Sequence, residues 1–475
     1  MKITNTFIKT MLLSSMMVGG QLHAAPPINP EAQPLGYIGP IELTTSDLSN
    51  GARAYRGWFE NGSWQGDLIE YDVSSKGLLT TSIDLTTINP QQSVGGTNWS
   101  AHVQFKANAG GISHWDTGRK IITNANGSQV PFRWSSLNPT QKAALDQGAF
   151  DGGLATSKVL NFLRGDRSNE NPTGNLRLRY SVLGDIVHSN PEYVGAPEGD
   201  STDPDYITFK ANKANRSPRV YAGANDGMLH AFDATNGNEV WAYVPSMLIP
   251  KMGFLAGVPY EHKYYVDGSI TILDAQIGGN WRSVLVGSLG AGGKGLYVLD
   301  VTDPDLSSEV TGDKKVMFEV DPASNNDVGY IFDQATIAKL DNGKWYAFIG
   351  NGVGSASNVA KLLIIDLETG NVKAIAAGTG TAASPNGLAA PALVDKNNDG
   401  FVDIAYAGDL NGDMWKFNLN GTPSVEYKLF DGVETQPITT APDVTLHPDG
   451  GYMVLFGTGK LYEDADINDA SVQAL

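Results

Sequence analysis

From Val220 onward the apolar positions fall in short runs, each closed by a glycine or by an Asn/Asp turn. The clearest unit reads Val220-Tyr221-Ala222-Gly223, then a turn at Asn225-Asp226-Gly227. The run Met228-Leu229-His230-Ala231-Phe232-Asp233 follows, then a turn at Asn236-Gly237 and the run Val240-Trp241-Ala242-Tyr243-Val244. Short runs rich in β-branched and aromatic residues, bounded by turn formers, predict strands joined as tight hairpins. Related pairs recur at Val284 to Gly287 with Leu296 to Asp300, Ala347 to Gly350 with Leu362 to Asp366, and Ile404 to Gly408 with Met414 to Asn418. A partial copy runs from Met453 to Gly457. The glycines Gly223, Gly287, Gly350, Gly408 and Gly457 recur at roughly 50–65 residues, longer than a ~40–45-residue WD-type blade. Several short antiparallel strands per unit, repeated at that period, predict the blades of a β-propeller. Radial repetition shields strand edges that would otherwise pair with other chains.

Ahead of the repeats the pattern differs. Asn50 to Tyr71 places Tyr55, Trp58, Phe59, Trp64 and Leu68 between glycine turns, which predicts short strands. Asn138-Pro139 reads as a helix N-cap followed by proline at the first helical position. A second helix ends near Leu163, with Val159, Leu160 and Leu163 on one face. The polar stretch from Arg164 to Asn175 reads as a domain boundary. The expected organisation is thus a small α+β region over 25–175 and a propeller over 176–475.

Residues 1–24 carry the marks of a secretory signal peptide. Lys2 and Lys9 precede the apolar residues Met11, Leu12, Leu13, Met16, Met17 and Val18, and Leu22-His23-Ala24 offers a cleavage site before Ala25. That run is far shorter than the ~20 residues a membrane span needs, and no other stretch qualifies. An exported protein without a membrane span is expected. Its 475 residues contain no cysteine, so no disulfide staples the fold and stability rests on the core, the repeats or a bound metal. The net charge of −18 disfavours nucleic acid and anionic membrane as partners and favours divalent cations.

The sharpest chemical signal is Asp395-Lys396-Asn397-Asn398-Asp399-Gly400-Phe401-Val402-Asp403. Oxygen-bearing side chains stand at loop positions one, three, five and nine, and glycine at position six permits a sharp turn. Calcium takes about 6–8 oxygen ligands, and this alternation directs them to one side. The expected ligands are the side chains of Asp395, Asn397, Asp399 and Asp403 with the main-chain carbonyl of Phe401. The loop departs from an EF-hand: its twelfth position is Tyr406, and the following Ile404 to Gly408 reads as a strand.

Other motifs read as structural. Asp321 to Asp327 lacks the ligand register and reads as a loop. Gly290 to Gly295 matches GxGxxG, but a strand, Leu296 to Asp300, follows where a phosphate site needs a helix. Arg164-Gly165-Asp166 is the tripeptide that integrins read; it reads first as a polar turn after a helix. His230 reads as a packed core histidine, and the histidines form no metal-spaced cluster. No GxSxG elbow and no singled-out carboxylate pair point to catalysis, so no enzyme is expected. Trp241, Trp281, Trp345 and Trp415 recur near blade strands, as packing between blades requires.

The stretch Ala222 to Trp241, AGANDGMLHAFDATNGNEVW, resembles the repeat of quinoprotein-like propellers. Arg164-Gly165-Asp166, Leu183 to Pro191, Asp267-Gly268-Ser269, the Asp395 to Asp403 loop followed by Ala405 to Phe417, and Gly457 to Lys460 occur in the order seen in PilY-type type IV pilus tip proteins. The resemblance runs over roughly 40–475. It implies a modified seven-bladed propeller whose calcium loop maps onto Asp395, Asn397, Asp399, Phe401 and Asp403. It also implies a protein in transit through the periplasm to the pilus tip, cell surface or outer membrane. Minor and major pilins are the implied partners, with a host receptor such as an integrin reading Arg164-Gly165-Asp166. Calcium in this family is linked to pilus extension, retraction and twitching, and its members promote assembly and adhesion. Many members carry a von Willebrand A-like domain, and no DxSxS metal motif is found here. The final blade is either missing or completed by N-terminal strands. Two further readings explain the same repeat: a quinone-dependent dehydrogenase and an outer-membrane assembly scaffold. The absence of cysteine removes the vicinal pair typical of the quinone alcohol enzymes.

Overall fold

Strands Arg53–Glu60 and Gln65–Val73 form a long antiparallel hairpin, with Tyr55 and Leu68 turned into the core. Ile41–Leu43 and Leu79–Thr80 flank it, completing a four-stranded antiparallel sheet in chain order. Short strands were expected here; cross-strand pairing of apolar residues extends them. The computed structural model describes residues 41–43, 52–60, 63–83, 97–108, 114–147, 157–310, 312–462, 466 and 468–474. The signal peptide expected at 1–24 lies outside the described residues.

The chain divides into two compact units, one over Pro30–Glu319 and one holding Val320–Leu475. The first contains the hairpin sheet, a six-stranded sheet and a further four-stranded sheet. The six-stranded sheet is built on the clearest repeat, Arg219–Ala224, Met228–Asp233 and Glu239–Val244, joined by Glu192–Val194. Two strands from earlier in the chain, Ile121–Ala125 and Ser128–Pro131, extend it: Ala242 pairs with Ile121 in parallel. The third sheet runs Ile270–Ile277, Asn280–Ser288, Leu296–Asp300 and Val316–Val320.

The second unit holds two four-stranded antiparallel sheets in chain order. One runs Thr336–Lys339, Trp345–Gly350, Lys361–Asp366 and Val372–Ala376; the other runs Ala392–Val394, Ile404–Gly408, Met414–Asn418 and Ser424–Phe430. A two-stranded sheet, Asp443–Leu446 with Tyr452–Leu455, follows. Each four-stranded meander is a propeller blade, and the chain is mainly β.

The recurring glycines have a steric cause. A Cβ on Gly223 would stand 2.4 Å from the Val266 carbonyl oxygen, on Gly350 2.1 Å from that of Ala389, and on Gly408 2.2 Å from the Ile438 side chain. None of the three has a positive φ. At these three positions glycine stands where a later segment crosses the strand too closely for a side chain, whereas at Gly287 a Cβ would meet the Tyr297 ring of the paired strand at 2.3 Å.

The expected boundary at 175 does not separate folding units. Ile121, Phe132, Val159 and Leu163 share one core cluster with Tyr221, Trp241 and Leu285. The stretch taken as a linker is pinned by buried ion pairs, Arg164 with Glu309 and Arg179 with Glu170. Paired charges hid a buried segment behind a polar sequence. The two expected helices are present at Pro139–Gln147 and Ser157–Arg164. Asn138 Oδ1 accepts from the Gln141 N–H at 2.9 Å, and Gln141 Oε1 accepts from the Asn138 N–H at 3.1 Å, a reciprocal N-terminal cap. Among the described residues no helix is long and apolar enough to cross a membrane.

Candidate metal centre

The Asp395–Asp403 loop joins two neighbouring strands of one blade, Ala392–Val394 and Ile404–Gly408, which are antiparallel and in register. Its exit is held by main-chain bonds. The Asp403 N–H donates to the Val394 carbonyl and the Val402 N–H to the Lys339 carbonyl, both at 2.9 Å. The loop turns through two left-handed residues, Asn398 (φ 57°) and Gly400 (φ 86°). Glycine meets the second at no steric cost, and Asn tolerates the first.

The side chains at positions one, three, five and nine organise the turn. Asp395 accepts from the N–H groups of Asp399 (3.2 Å) and Gly400 (2.7 Å). Asn397 Oδ1 accepts from the Asp399 N–H at 3.1 Å, and its amide donates to the Asp399 carboxylate at 2.9 Å. Asp399 also accepts from the Phe401 N–H at 2.9 Å. Asp403 is buried and accepts from the Lys396 N–H at 2.7 Å. Thus the expected side-chain ligands share one turn, three of the four linked directly to a second of the set or to its backbone. In this conformation the carboxylates face loop N–H groups. Among the described residues, no three His, Cys, Asp or Glu side chains converge as a metal cluster.

The donor set suits a hard cation. It offers oxygen only, from three carboxylates, one amide and the Phe401 carbonyl, and none of the three carboxylates forms an ion pair among the described residues. Lys339, whose carbonyl accepts from the Val402 N–H, lies over the Phe401 and Trp345 rings, with its Nζ 5.9 and 5.2 Å from their centroids. Three like charges on one turn repel, and a divalent cation offsets that repulsion.

The other motifs fall as follows. Gly290–Gly292 is a single 3-10 turn leading to strand Leu296–Asp300, a strand connection as expected. Asp321 and Ser324 close a local turn. His230 is fully buried, between Glu239 (2.7 Å) and Asp226 (3.1 Å). Burial alone would lower its pKa; the Asp226 and Glu239 charges outweigh that and push it up to about 9. Arg119 grips Glu239 with two bonds of 2.7 Å and holds that carboxyl well below its usual range against the opposing effect of burial. Sequence reading passed over Arg119, Asp226 and Glu239. Glu239, a lone charge opening an apolar strand, was the available signal.

The integrin expectation is corrected. The Arg164 side chain is buried, with its guanidinium bonded to Glu309 (2.8 Å) and to the carbonyls of Phe132, Trp115 and Arg119 (3.1–3.2 Å). Asp166 is buried too and caps the Ser168 N–H. A receptor would have to extract a charged side chain from the core to read the tripeptide.

Repeated four-stranded meanders with an oxygen-lined loop between two blade strands define a β-propeller with a candidate hard-cation loop. The family model of the PilY1 β-propeller domain matches residues 183–475, and the chain belongs to that family. A type IV pilus biogenesis factor PilY1 of Pseudomonas aeruginosa (strain PAK) is 39% identical over 447 residues, covering 85% of this chain and 36% of the relative. A PilY1 homolog of Xylella fastidiosa is 35% identical over 450 residues, covering 91% of this chain and 33% of the relative. The crystal structure of the Pseudomonas aeruginosa PilY1 C-terminal domain matches with a TM-score of 0.51 at 39% identity, over 59% of this chain and 62% of that one. The chain spans about a third of the length of these curated relatives.

Proposed function

We propose that this chain is the propeller portion of a calcium-binding, type IV pilus tip-associated protein. It acts as a binding and assembly factor rather than an enzyme. Its roles are promotion of pilus assembly, control of extension and retraction, twitching motility and adhesion. It is exported through the periplasm to the pilus tip, and minor and major pilins are its partners. The relatives' names, type IV pilus biogenesis factor, support the biogenesis role. The observation that carries the calcium reading is the Asp395–Asp403 turn, whose oxygens occupy alternate positions between two paired blade strands.

Asp395, Asn397, Asp399, Asp403 and the Phe401 carbonyl would hold the ion. When bound, the ion supplies positive charge that lets three carboxylates share one turn. The chain's part is to fix the loop ends: Asp403 and Val402 bond to neighbouring strand carbonyls, so a change in the loop is passed to the blade edge. The test is a count of surface pili in a strain deleted for the gene and complemented with wild type or Asp395→Ala. Loss on deletion, rescue by wild type and altered piliation in the variant are expected. Equal piliation in all strains would remove the proposal.

A further inference from the structure

Within the Pro30–Glu319 unit lies a cavity of about 270 Å³ that the pilus reading does not use. Its walls include Trp64, Arg177, Tyr260, Asp185 and Asp226, with Leu178 and Tyr180 at the rim. Arg177 and Arg179 flank Leu178, and the two arginines differ in their bonding. Arg179 is buried and committed: it pairs with Glu170 at 2.9 Å, donates to the Phe162 and Asp166 carbonyls and stacks on Phe162 at 3.5 Å. Arg177 has no carboxylate partner among the described residues. Its guanidinium stacks on the Tyr260 ring at 3.6 Å, and its Nε is sealed from solvent without an acceptor.

The carboxylates on the cavity wall do not supply that acceptor, because they are already engaged. Asp185 accepts from Asn225 (2.7 Å) and pairs with His262 (2.8 Å). Asp226 accepts from the Gly184 N–H (3.1 Å) and pairs with His230 (3.1 Å). Arg177 lines the cavity without a carboxylate partner among the described residues, and a planar guanidinium in that state is a carboxylate receptor. Leu178 and Tyr180 are 59% and 69% exposed, unusually open for apolar side chains beside a cavity. They offer apolar contact next to the charge. The volume falls just below the roughly 300–1,000 Å³ of drug-sized ligand sites, so it suits one or two residues rather than a nucleotide. One available cation facing two carboxylates disfavours a phosphate dianion.

We propose that this cavity is a recognition pocket for a peptide carboxylate, with Arg177 holding the anion and Leu178 and Tyr180 holding an adjacent apolar side chain. The carboxylate comes either from a chain terminus or from an acidic side chain. The pocket is independent of the calcium loop, so loss of calcium binding leaves it intact.

The test titrates the chain with N-acetyl-leucine, N-acetyl-aspartyl-leucinamide and N-acetyl-leucinamide, following Trp64 by fluorescence and ligand protons by saturation-transfer NMR. Saturable binding of at least one acid, about tenfold tighter than the neutral amide, is expected. Which acid binds identifies the source of the carboxylate. Arg177→Gln should bring the acid down to the level of the amide, and Arg177→Lys should recover part of the difference. Leu178→Ser, at the exposed rim, should weaken the bound acid without unfolding the chain. It decides the question if Arg177→Gln does not fold. Equal binding of acid and amide, no saturation at millimolar concentrations, or binding unaffected by these variants would overturn the proposal.

Discussion

Arg164 Nη1 lies 2.8 Å from Glu309 Oε1, and both side chains are buried. Arg133 bonds the other Glu309 oxygen at 2.5 Å, so one carboxylate gathers two arginines from different segments. Removing one member of a buried pair leaves the other desolvated and uncompensated, at a cost of about 3–5 kcal/mol. Arg164→Ala should therefore destabilise the chain by that order in urea unfolding. A loss below about 1 kcal/mol would mean the side chain is solvated and the tripeptide accessible.

Gly350 and Gly343 form a matched pair. A Cβ on Gly350 meets two carbonyl oxygens at 2.1 Å, whereas at Gly343 it meets nothing within 4 Å but must adopt φ +77°. Gly350→Ala should cost more than about 2 kcal/mol because backbone must move. Gly343→Ala should cost about 1 kcal/mol, from the left-handed conformation alone. Thermal unfolding of the two variants would show the order.

His230 predicts a pH dependence. Its folded pKa of about 9 lies above its ordinary value, so its stabilising contribution is full below about pH 6.5 and is lost as pH rises through 9. The His230 contribution, read as the unfolding free energy of wild type minus that of His230→Gln, should fall by roughly 1–3 kcal/mol across pH 7–9.5. Asp67 and Glu70, each raised to about 7 chiefly by burial, act below this window and at its lower edge, whereas Lys251, lowered to about 7 chiefly by burial, acts across it with the opposite sign. Parallel pH profiles of wild type and His230→Gln would assign the slope to another group.

Calcium should raise the thermal midpoint of the wild-type chain and not that of Asp395→Ala. At a hundredfold excess over the dissociation constant, binding to the folded state alone adds about 2.7 kcal/mol. Calorimetric scans with calcium or chelator would measure it. Asp321→Ala, in a turn that lacks the ligand register, should respond like wild type.

Most of the strand pattern was legible because a strand buried on a blade face needs apolar runs, and tight turns need Gly or Asn. The Ile404–Gly408 and Met414–Asn418 pair stands where the runs place it. The Asn138 cap was legible from a local hydrogen-bonding rule. The order of oxygen-bearing side chains in the Asp395–Asp403 turn was legible as an alternation, since neighbours in sequence are neighbours in a turn. What could not be read was which charged residues are inside. Arg164, Glu170, Arg179 and Glu309 look like surface residues until their partners are known, and Arg164 and Glu309 stand 145 positions apart.

The sequence by itself determined the blade repeats, their glycines, the two helices and the order of oxygen donors between Asp395 and Asp403. All of these follow from interactions within a strand, a turn or a helix end. Only the tertiary structure decided that Ile121–Ala125 pairs in parallel with Glu239–Val244, that the Arg164 and Asp166 side chains are buried, and that of two arginines on one cavity wall Arg179 pairs with Glu170 while Arg177 has no carboxylate partner among the described residues. Parallel pairing and buried ion pairs join residues far apart along the chain, and no local pattern records which distant partner will arrive.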